Sequence, residues 1–420
     1  MMEQLLSREN LLSALHRVEE NKGSHGVDGM SVKTLRDHIK QNWQTIRESI
    51  ENGTYEPSPV RRVEIPKPNG GTRLLGIPTV TDRFIQQAIT QILTPLFDLE
   101  FSEYSYGFRP SRRGHDAVRK ARTYMQEGYR IVVDLDLEKF FDRVNHDRLM
   151  AKLAERVTDK MLLKLIRKYL QSGVLINGLV KPTEEGAPQG GPLSPLLSNI
   201  VLDELDKELE KRNLRFVRYA DDCNIYVKTW KAGKRVKESV TQFIEKKLKL
   251  KVNQTKSAVD RPWKRKFLGF TFSWDKAEPK VKISKPSLQK VKARIREITS
   301  RKSPIPMEMR ITELNQYLTG WCGYYALADT PNIFKELDEW IRRRLRMCIW
   351  KQWKLPKTKV RNLLALGVTK QKAYEWGNTR KKYWRIACSP ILHTTLDNQY
   401  WMSNGLRSLN DRYKLLRNIS

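Results

Sequence analysis

The chain has 420 residues, 39% of them hydrophobic and 30% charged, which suits folded domains with real cores and not a disordered chain. Its 79 Lys and Arg against 47 Asp and Glu leave a formal charge of +32, a field that calls for a polyanionic partner such as nucleic acid. No run of apolar residues is long enough to cross a membrane, and the scattered Cys223, Cys322, Cys348 and Cys388 form no C-x-x-C pair. A membrane span, a disulfide framework and a zinc cage are therefore excluded, and a reduced, cytoplasmic setting is expected.

Residues 3–21 carry Leu5, Leu6, Leu11, Leu12, Leu15 and Val18 at helical spacing, ending at the glycine-containing NKGSHGVDG. A second helix is expected over about 31–52. VRRVEIPKPNGGTRLLGIP (60–78) then reads as a β-hairpin, with alternating Val60, Val63 and Ile65, a Pro-Asn-Gly-Gly turn, and Leu75 and Ile77 on the return. Helices are expected at about 81–98 and 113–127, a strand at 131–137 and a helical region at 147–170. The loop GAPQGGPLSP leads into a helix from Pro195 to about Arg212, with Ser194 as the expected N-cap. A helix at 232–248 and short strands near 251–253, 259–260 and 267–273 follow, and beyond about 284 the pattern is helical throughout.

Two acidic segments interrupt this order. FVRYADDCNIYV (216–227) sets Asp221 and Asp222 inside an apolar, β-prone run, which reads as a hairpin with Ala220-Asp221-Asp222 at its tight turn. VVDLDLEKFFD supplies Asp134 and Asp136, which alternation puts on one side of a strand, and Asp142 beyond it. Carboxylates brought together need a cation or must protonate. Basic side chains neutralise surface acids without requiring them at strand ends, whereas hard divalent ions need clustered oxygens. Two Mg2+ ions catalysing phosphoryl transfer fit both the acids and the basic surroundings. Between 341 and 385 fifteen Lys or Arg face one acid, Glu375, with Trp340, Trp350, Trp353, Trp376 and Trp384 interleaved, a pattern expected of a nucleic-acid surface that combines stacking with phosphate attraction.

YADD, VDLDLEKFFD, APQGGPLSP and FLGF (267–270) resemble, in order, the palm blocks of reverse transcriptases. RRVEIPKPNGGTRLLGIPTVTDRFIQQAI, SYGFRP and LNQYLTGWCGYY (314–325) narrow the resemblance to bacterial group II intron reverse transcriptase/maturases. It implies an α+β right-hand polymerase: an N-terminal extension (1–60), fingers and palm with an antiparallel sheet (61–283), an α-helical thumb or maturase domain (284–360), and a small basic helical DNA-binding domain (361–420). With no C-x-x-C after it, the class lacking a C-terminal endonuclease is expected.

The same resemblance implies the roles. Asp136 and Asp221, with the Leu137 carbonyl, would hold two Mg2+ ions (Mn2+ as substitute), and Asp222 would assist. Phe141 would sit under the sugar and reject a 2′-hydroxyl, while Asp134, Asp142 and Phe140 would be structural. Lys67, Arg73, Gln189 and Ala220 would meet the incoming dNTP, and Arg109, Gly190 and Gly191 the template or primer, with a local ion pair as the alternative for Arg109. Lys256 is the candidate general acid for pyrophosphate, or else a surface lysine. The implied partners are group II intron RNA, an RNA template with DNA primer, target DNA and dNTPs. The implied activity is RNA-directed DNA synthesis with assistance to splicing and mobility. A non-catalytic RNA-binding splicing factor and a defence or spacer-acquisition reverse transcriptase are the alternatives.

Overall fold

The computed structural model describes residues 1–66, 72–176, 179–181, 185–186, 190–275 and 277–419. It separates into two compact units, Met1–Pro262 and Trp263–Ser420. The first opens with helices α1 (Met2–Leu5), α2 (Arg8–Asn21) and α3 (Val32–Glu51), strands β1 (Val60–Pro66) and β2 (Thr72–Ile77), and helices α4 (Val80–Asp98) and α5 (Gly114–Gln126). It continues through β3 (Ile131–Leu135), α6 (His146–Ala154), α7 (Lys160–Gln171), β4 (Val174–Ile176), β5 (Leu179–Lys181) and α8 (Ser194–Lys211). It closes with β6 (Arg215–Tyr219), β7 (Asp222–Val227), α9 (Trp230–Lys246) and β8 (Ala258–Asp260).

Two departures from expectation have local causes. The first predicted helix is two, because the Ser7 side chain accepts from the Asn10 amide and starts α2 afresh. Ser194 is not an N-cap: Leu193 holds that place, and Ser194 already belongs to α8 with Pro195 beside it.

The sheet that matters runs β6-β7-β3-β8, antiparallel throughout. Ile131, Val133 and Leu135 on β3 share one face with Cys223, Ile225 and Val227 on β7, buried in a core with Leu202 of α8 and Val240 and Ile244 of α9. Helix α9 comes close at Gly233, where a Cβ would meet Val259 Cγ1 at 2.6 Å. On the opposite face Tyr226 lies against Tyr124 of α5, ring centroids 5.7 Å apart. With both faces covered, the strands read as near-continuous apolar runs, and a carboxylate among them stands out. A second sheet, β2-β1-β4-β5, carries the hairpin, with β4 parallel to β1.

The second unit holds the small hairpin β9 (Phe270–Phe272) and β10 (Val281–Ile283), then helices α10 (Lys285–Ile298), α11 (Met307–Tyr325), α12 (Pro331–Gln352), α13 (Pro356–Ala365), α14 (Lys370–Gly377), α15 (Tyr383–Ile386), α16 (Pro390–Thr395), α17 (Asn398–Ser403) and α18 (Leu409–Ile419). The buried carboxylate of Asp338 on α12 accepts from the Leu409 and Asn410 amides and the Ser408 hydroxyl, all at 2.9 Å. It thereby fastens the start of α18, as an acid at a helix N-terminus does. The architecture is the α+β arrangement expected, an antiparallel palm-like sheet followed by helices, and no helix among the described residues is long and apolar enough to cross a membrane.

Candidate active site

The β6–β7 hairpin closes with Tyr219 opposite Asp222, leaving Ala220 and Asp221 as a two-residue turn. Asp222 is thus the first strand residue, not part of the turn. Ala220 takes φ +55°, the left-handed conformation such turns require and a costly one for any residue with a Cβ. The cost is offset by Arg218, whose side chain is fully buried. Its Nη1 donates to the Ala220 carbonyl at 2.9 Å and to Asn199 Oδ1 at 3.0 Å. Its Nε and Nη2 donate to the two carboxylate oxygens of Asp206 on α8, at 2.7 and 2.5 Å, the bidentate geometry in which Arg exceeds Lys. Burial alone would lower the Arg218 pKa, but the facing Asp206 holds it above the ordinary value. Asn199 donates in turn to the Gly107 carbonyl at 2.8 Å. Gly107 presses so near that a Cβ there would sit 2.3 Å from the Ala220 amide nitrogen. The SYGFRP loop runs beside β6, Tyr106 N donating to Arg218 O and Arg218 N to Tyr104 O, both at 2.9 Å.

Sequence reasoning missed Arg218, Asp206 and Asn199. The signal was present: an arginine inside the apolar FVRY, and Asn199 and Asp206 seven residues apart on the buried stripe of an amphipathic helix. Burial, with Asp206 nearby, keeps the Cys223 thiol protonated, so it offers no nucleophile beside the turn.

The other acidic segment comes to the same place. Leu135 of β3 pairs with Cys223 of β7 as the last pair of that ladder, so Asp136 leaves β3 at the end of the sheet where β7 begins with Asp222. Asp134 pairs with Asn224 and Ala258 inside the sheet. After Leu135 the chain is held from its other side: Glu138 N donates to Lys251 O and Asn253 N to Asp136 O, both 2.8 Å, around a Leu137–Val252 bridge. These bonds use the carbonyls of Asp136 and Lys251, so that of Leu137 is not spent on Val252. The Asp136 amide donates to Ser257 Oγ at 2.9 Å. The Asx turn at 253–256, where Asn253 Oδ1 accepts from the Lys256 amide at 3.3 Å, brings Lys256 Nζ to 3.4 Å from Asp136 Oδ2.

Two carboxylates and a carbonyl are the hard oxygens Mg2+ takes, with the rest of its sphere left to phosphate and water. Among the described residues no three His, Cys, Asp or Glu form a metal cage on their own, so such ions would lean on bound nucleotide. The donor chemistry fits.

Phe140 is buried in the core, whereas Phe141 is partly exposed, its ring edge-on to Phe140 at 5.1 Å. Lys139, at φ +48°, turns the chain into this segment. Arg109 makes the local ion pair that was its alternative: its buried guanidinium donates to Asp98 Oδ1 at 2.7 Å and to the carbonyls of Asp98, Ser102 and Ser105. With these N–H groups engaged inside the chain, it staples a loop. Gly191 is buried, its missing Cβ making room for Gln86 of α4, and a Cβ on Gly190 would lie 2.6 Å from the Gly76 carbonyl of β2. The closeness these glycines allow is used within the protein, though Gly190 itself stays exposed. Lys67 and Gln189 lie outside the described residues. Arg73 pairs with Ile65 through its backbone, its side chain lying outside the description.

The tryptophans of 340–384 are not a bare stacking surface. Trp350 is core, and Trp340 carries Arg296 and Arg344 at 5.4 and 5.3 Å. Trp384 carries Arg343 at 3.8 Å and Trp376 carries Lys381 at 4.6 Å. The chain's own cations cap the rings that were expected to meet bases.

The model of the family "Reverse transcriptase (RNA-dependent DNA polymerase)" matches residues 65–272, and that of the "Group II intron, maturase-specific domain" matches residues 288–367. Protein YkfC of Escherichia coli (strain K12) is 33% identical over 296 residues, 61% of this chain and 78% of that protein. The group II intron-encoded protein LtrA of Lactococcus lactis subsp. cremoris is 37% identical over 206 residues, 49% of this chain and 34% of that protein. The chain belongs to the group II intron reverse transcriptase–maturase family. The putative COX1/OXI3 intron 2 protein of Saccharomyces cerevisiae is 34% identical over 210 residues, covering 48% of the chain and 24% of that protein. The chain thus spans about a third or less of the length of these two longer intron-encoded relatives. Among solved structures, a chain of a partial Cas6-RT-Cas1–Cas2 complex is 25% identical, covering 58% of this chain and 42% of that one, with a TM-score of 0.38. In this family member the acidic site from Asp134 to Asp222 falls within the reverse transcriptase match, and helices α11 and α12 fall within the maturase match.

Proposed function

We propose that this chain is an RNA-directed DNA polymerase, joining dNTPs to a DNA primer 3′-hydroxyl along an RNA template. It also binds group II intron RNA to assist splicing and insertion into target DNA. The observation that supports this reading is the β3–β7 register: its last pair is Leu135–Cys223, so Asp136 follows the end of β3 where β7 begins with Asp222, next to a turn braced by buried Arg218. A binding module has no use for carboxylates so arranged.

In this reading Asp136 and Asp221, with the Leu137 carbonyl, hold two divalent cations, Mg2+ or in substitution Mn2+, and Asp222 orients the edge of the site. When bound, such ions acidify the attacking hydroxyl and neutralise charge gathering on the triphosphate. The residues of the chain supply position. Lys67 and Arg73 on the β1–β2 hairpin grip the triphosphate, Arg as a planar fork and Lys as a point charge. Gln189, Gly190 and Ala220 border the nucleotide, and the partly exposed Phe141 leaves no room for a 2′-hydroxyl. Lys256, with Nζ 3.4 Å from Asp136 Oδ2, is the general acid for the departing pyrophosphate. Residues 1–60 serve as an N-terminal extension, 61–283 as fingers and palm, 284–360 as thumb and maturase domain, and 361–420 as a basic DNA-binding domain. The work is done in the bacterial cytoplasm, where intron RNA and target DNA meet.

Primer extension on an RNA template tests this. The parent should extend with Mg2+, and Asp221→Asn should give no product while unfolding at the parental temperature. A parent that binds intron RNA without extending, or an Asp221→Asn variant that extends equally well, would point instead to a splicing factor without catalysis.

A further inference from the structure

Seven aromatic residues lie between 340 and 384, and six have a cation or another ring against them. Trp340, Trp376 and Trp384 are capped as described. Tyr383 carries Arg301 and Lys351 at 5.1 and 5.4 Å, and Trp350 carries Lys359 at 4.9 Å and packs on Trp353 at 5.9 Å. Tyr374 is the exception: among the described residues nothing stacks on its ring, and the residue is 52% exposed. It lines a groove of about 560 Å³ between α13 and α14, together with Val360, Leu364, Lys357, Arg361 and Asn378. Among the described residues no acidic side chain lines that groove.

We propose that this groove takes one unpaired base of a structured RNA, stacked on Tyr374, with its phosphate on Lys357 and Arg361. The inference rests on the RNA-binding reading above and names where a splayed base would go; the groove's Lys357 and Arg361 lie in the maturase match, so it extends RNA contact into the start of the stretch read as DNA-binding. Its physical grounds are threefold. The volume lies within the range of small-ligand sites. Apolar side chains beside an open ring, with two cations in the same lining, match the way unpaired RNA bases are held by aromatic side chains. The helix pair is also rigid: Gly377 approaches α13 so closely that a Cβ would meet Val360 Cγ2 at 2.5 Å, so the groove is already shaped before anything binds. Asn378, with an amide that both donates and accepts, borders the space where a base edge would lie.

The test uses the full chain and an RNA hairpin with one 2-aminopurine in its loop, followed by anisotropy and by 2-aminopurine emission. The parent should bind and quench the probe. Tyr374→Ala should bind about five- to tenfold more weakly, the low end of base–aromatic stacking, and should leave the probe bright, whereas Tyr374→Phe should behave as the parent. Arg361→Gln should lower the slope of log affinity against log salt by roughly 0.7, the single-strand value for one phosphate. Parental affinity and quenching in Tyr374→Ala overturn the proposal. So does tighter, Tyr374-dependent binding of the DNA hairpin of the same sequence, which would make DNA the occupant. So does a Tyr374-dependent change in self-association with RNA binding untouched, which would make it a second copy. Extension from a pre-annealed primer reads the polymerase separately. A chain that extends but binds RNA without regard to Tyr374 loses only the groove, and an inactive chain with Tyr374-dependent binding loses only the polymerase.

Discussion

Arg218→Met would remove the guanidinium under the Ala220 turn and leave the Asp206 carboxylate fully buried with no cation. It would also strip the donor from Asn199 Oδ1 and from the Ala220 carbonyl. Removing one member of a buried ion pair costs about 3–5 kcal/mol, a large part of the 5–15 kcal/mol that keeps a typical domain folded. For a unit of this size that is a fall in melting temperature of roughly 10 °C. A second substitution separates stability from turn geometry. Asp206→Leu with Arg218→Met replaces the pair by apolar side chains and should recover most of the loss, since such replacements are often neutral or better. The Ala220 carbonyl would still lack its donor and the left-handed turn its brace. If that brace is worth about 1.4 kcal/mol in the reacting geometry, extension slows about tenfold. Calorimetry and single-turnover primer extension give the two readouts. A double variant that melts like the parent and extends at the parental rate would refute the claim that Arg218 sets the turn. A single variant that melts like the parent would refute the burial argument.

Three further outcomes are expected. Phe141→Ala should raise incorporation of ribonucleotides relative to deoxyribonucleotides in primer extension, and unchanged sugar selection would remove Phe141 from the nucleotide site. Gly107→Ala puts a Cβ 2.3 Å from the Ala220 amide nitrogen, an overpacking worth about 1–3 kcal/mol. Extension should slow while RNA binding holds, and a variant with parental rate and melting temperature would show that the SYGFRP loop does not set the turn. His393 has its pKa lowered by burial and by Arg346, Arg342 and Arg343, with Glu339 and Asp397 also lining the cavity beside it. The unfolded chain therefore binds a proton below about pH 6.5 that the folded chain resists, and stability should fall as pH drops from there toward the lowered folded value. Melting temperatures between pH 7.5 and 5.5 should decline more steeply for the parent than for His393→Gln, and equal slopes would overturn this.

The acidic site was legible where its signals were short in range. Alternation around YADD, a tight turn and a carboxylate at the end of an apolar strand need only neighbours to be read, and the hairpin and β3 stand where expected, with Asp222 in the strand and not in the turn. The brace beneath was harder, because Arg218 finds Asp206 only after α8 folds back on β6, a tertiary event that strand alternation does not encode. Arg109 shows the same limit from the other side: the SYGFRP motif marks the residue, but nothing in it says that Asp98, Ser102 and Ser105 will use up its donors. The strands β4, β5 and β10, three residues each, are too short for periodicity to register. The tryptophans were open to two outcomes, stacking on bases and stacking on the chain's own cations and rings, and composition alone does not separate them.

Those two outcomes are less opposed than they look. Among the described residues no lysine is buried, whereas Arg109, Arg218, Arg310 and Arg346 are. Arg310 alone gathers the carbonyls of Ile298, Ser300, Ser303 and Ile305, so part of the basic complement holds loops together and is hidden from any polyanion. The ring-capping cations are different. Arg343 over Trp384, or Arg296 and Arg344 about Trp340, has given up rotamer freedom to the ring while its side remains partly open to solvent. A long side chain ordered only on binding costs about 0.5–1.5 kcal/mol, and one already laid on an aromatic face has met much of that cost during folding. The tryptophans then serve nucleic-acid binding indirectly: they aim the cations that meet phosphate, and Tyr374, left uncapped, is the ring free to meet a base.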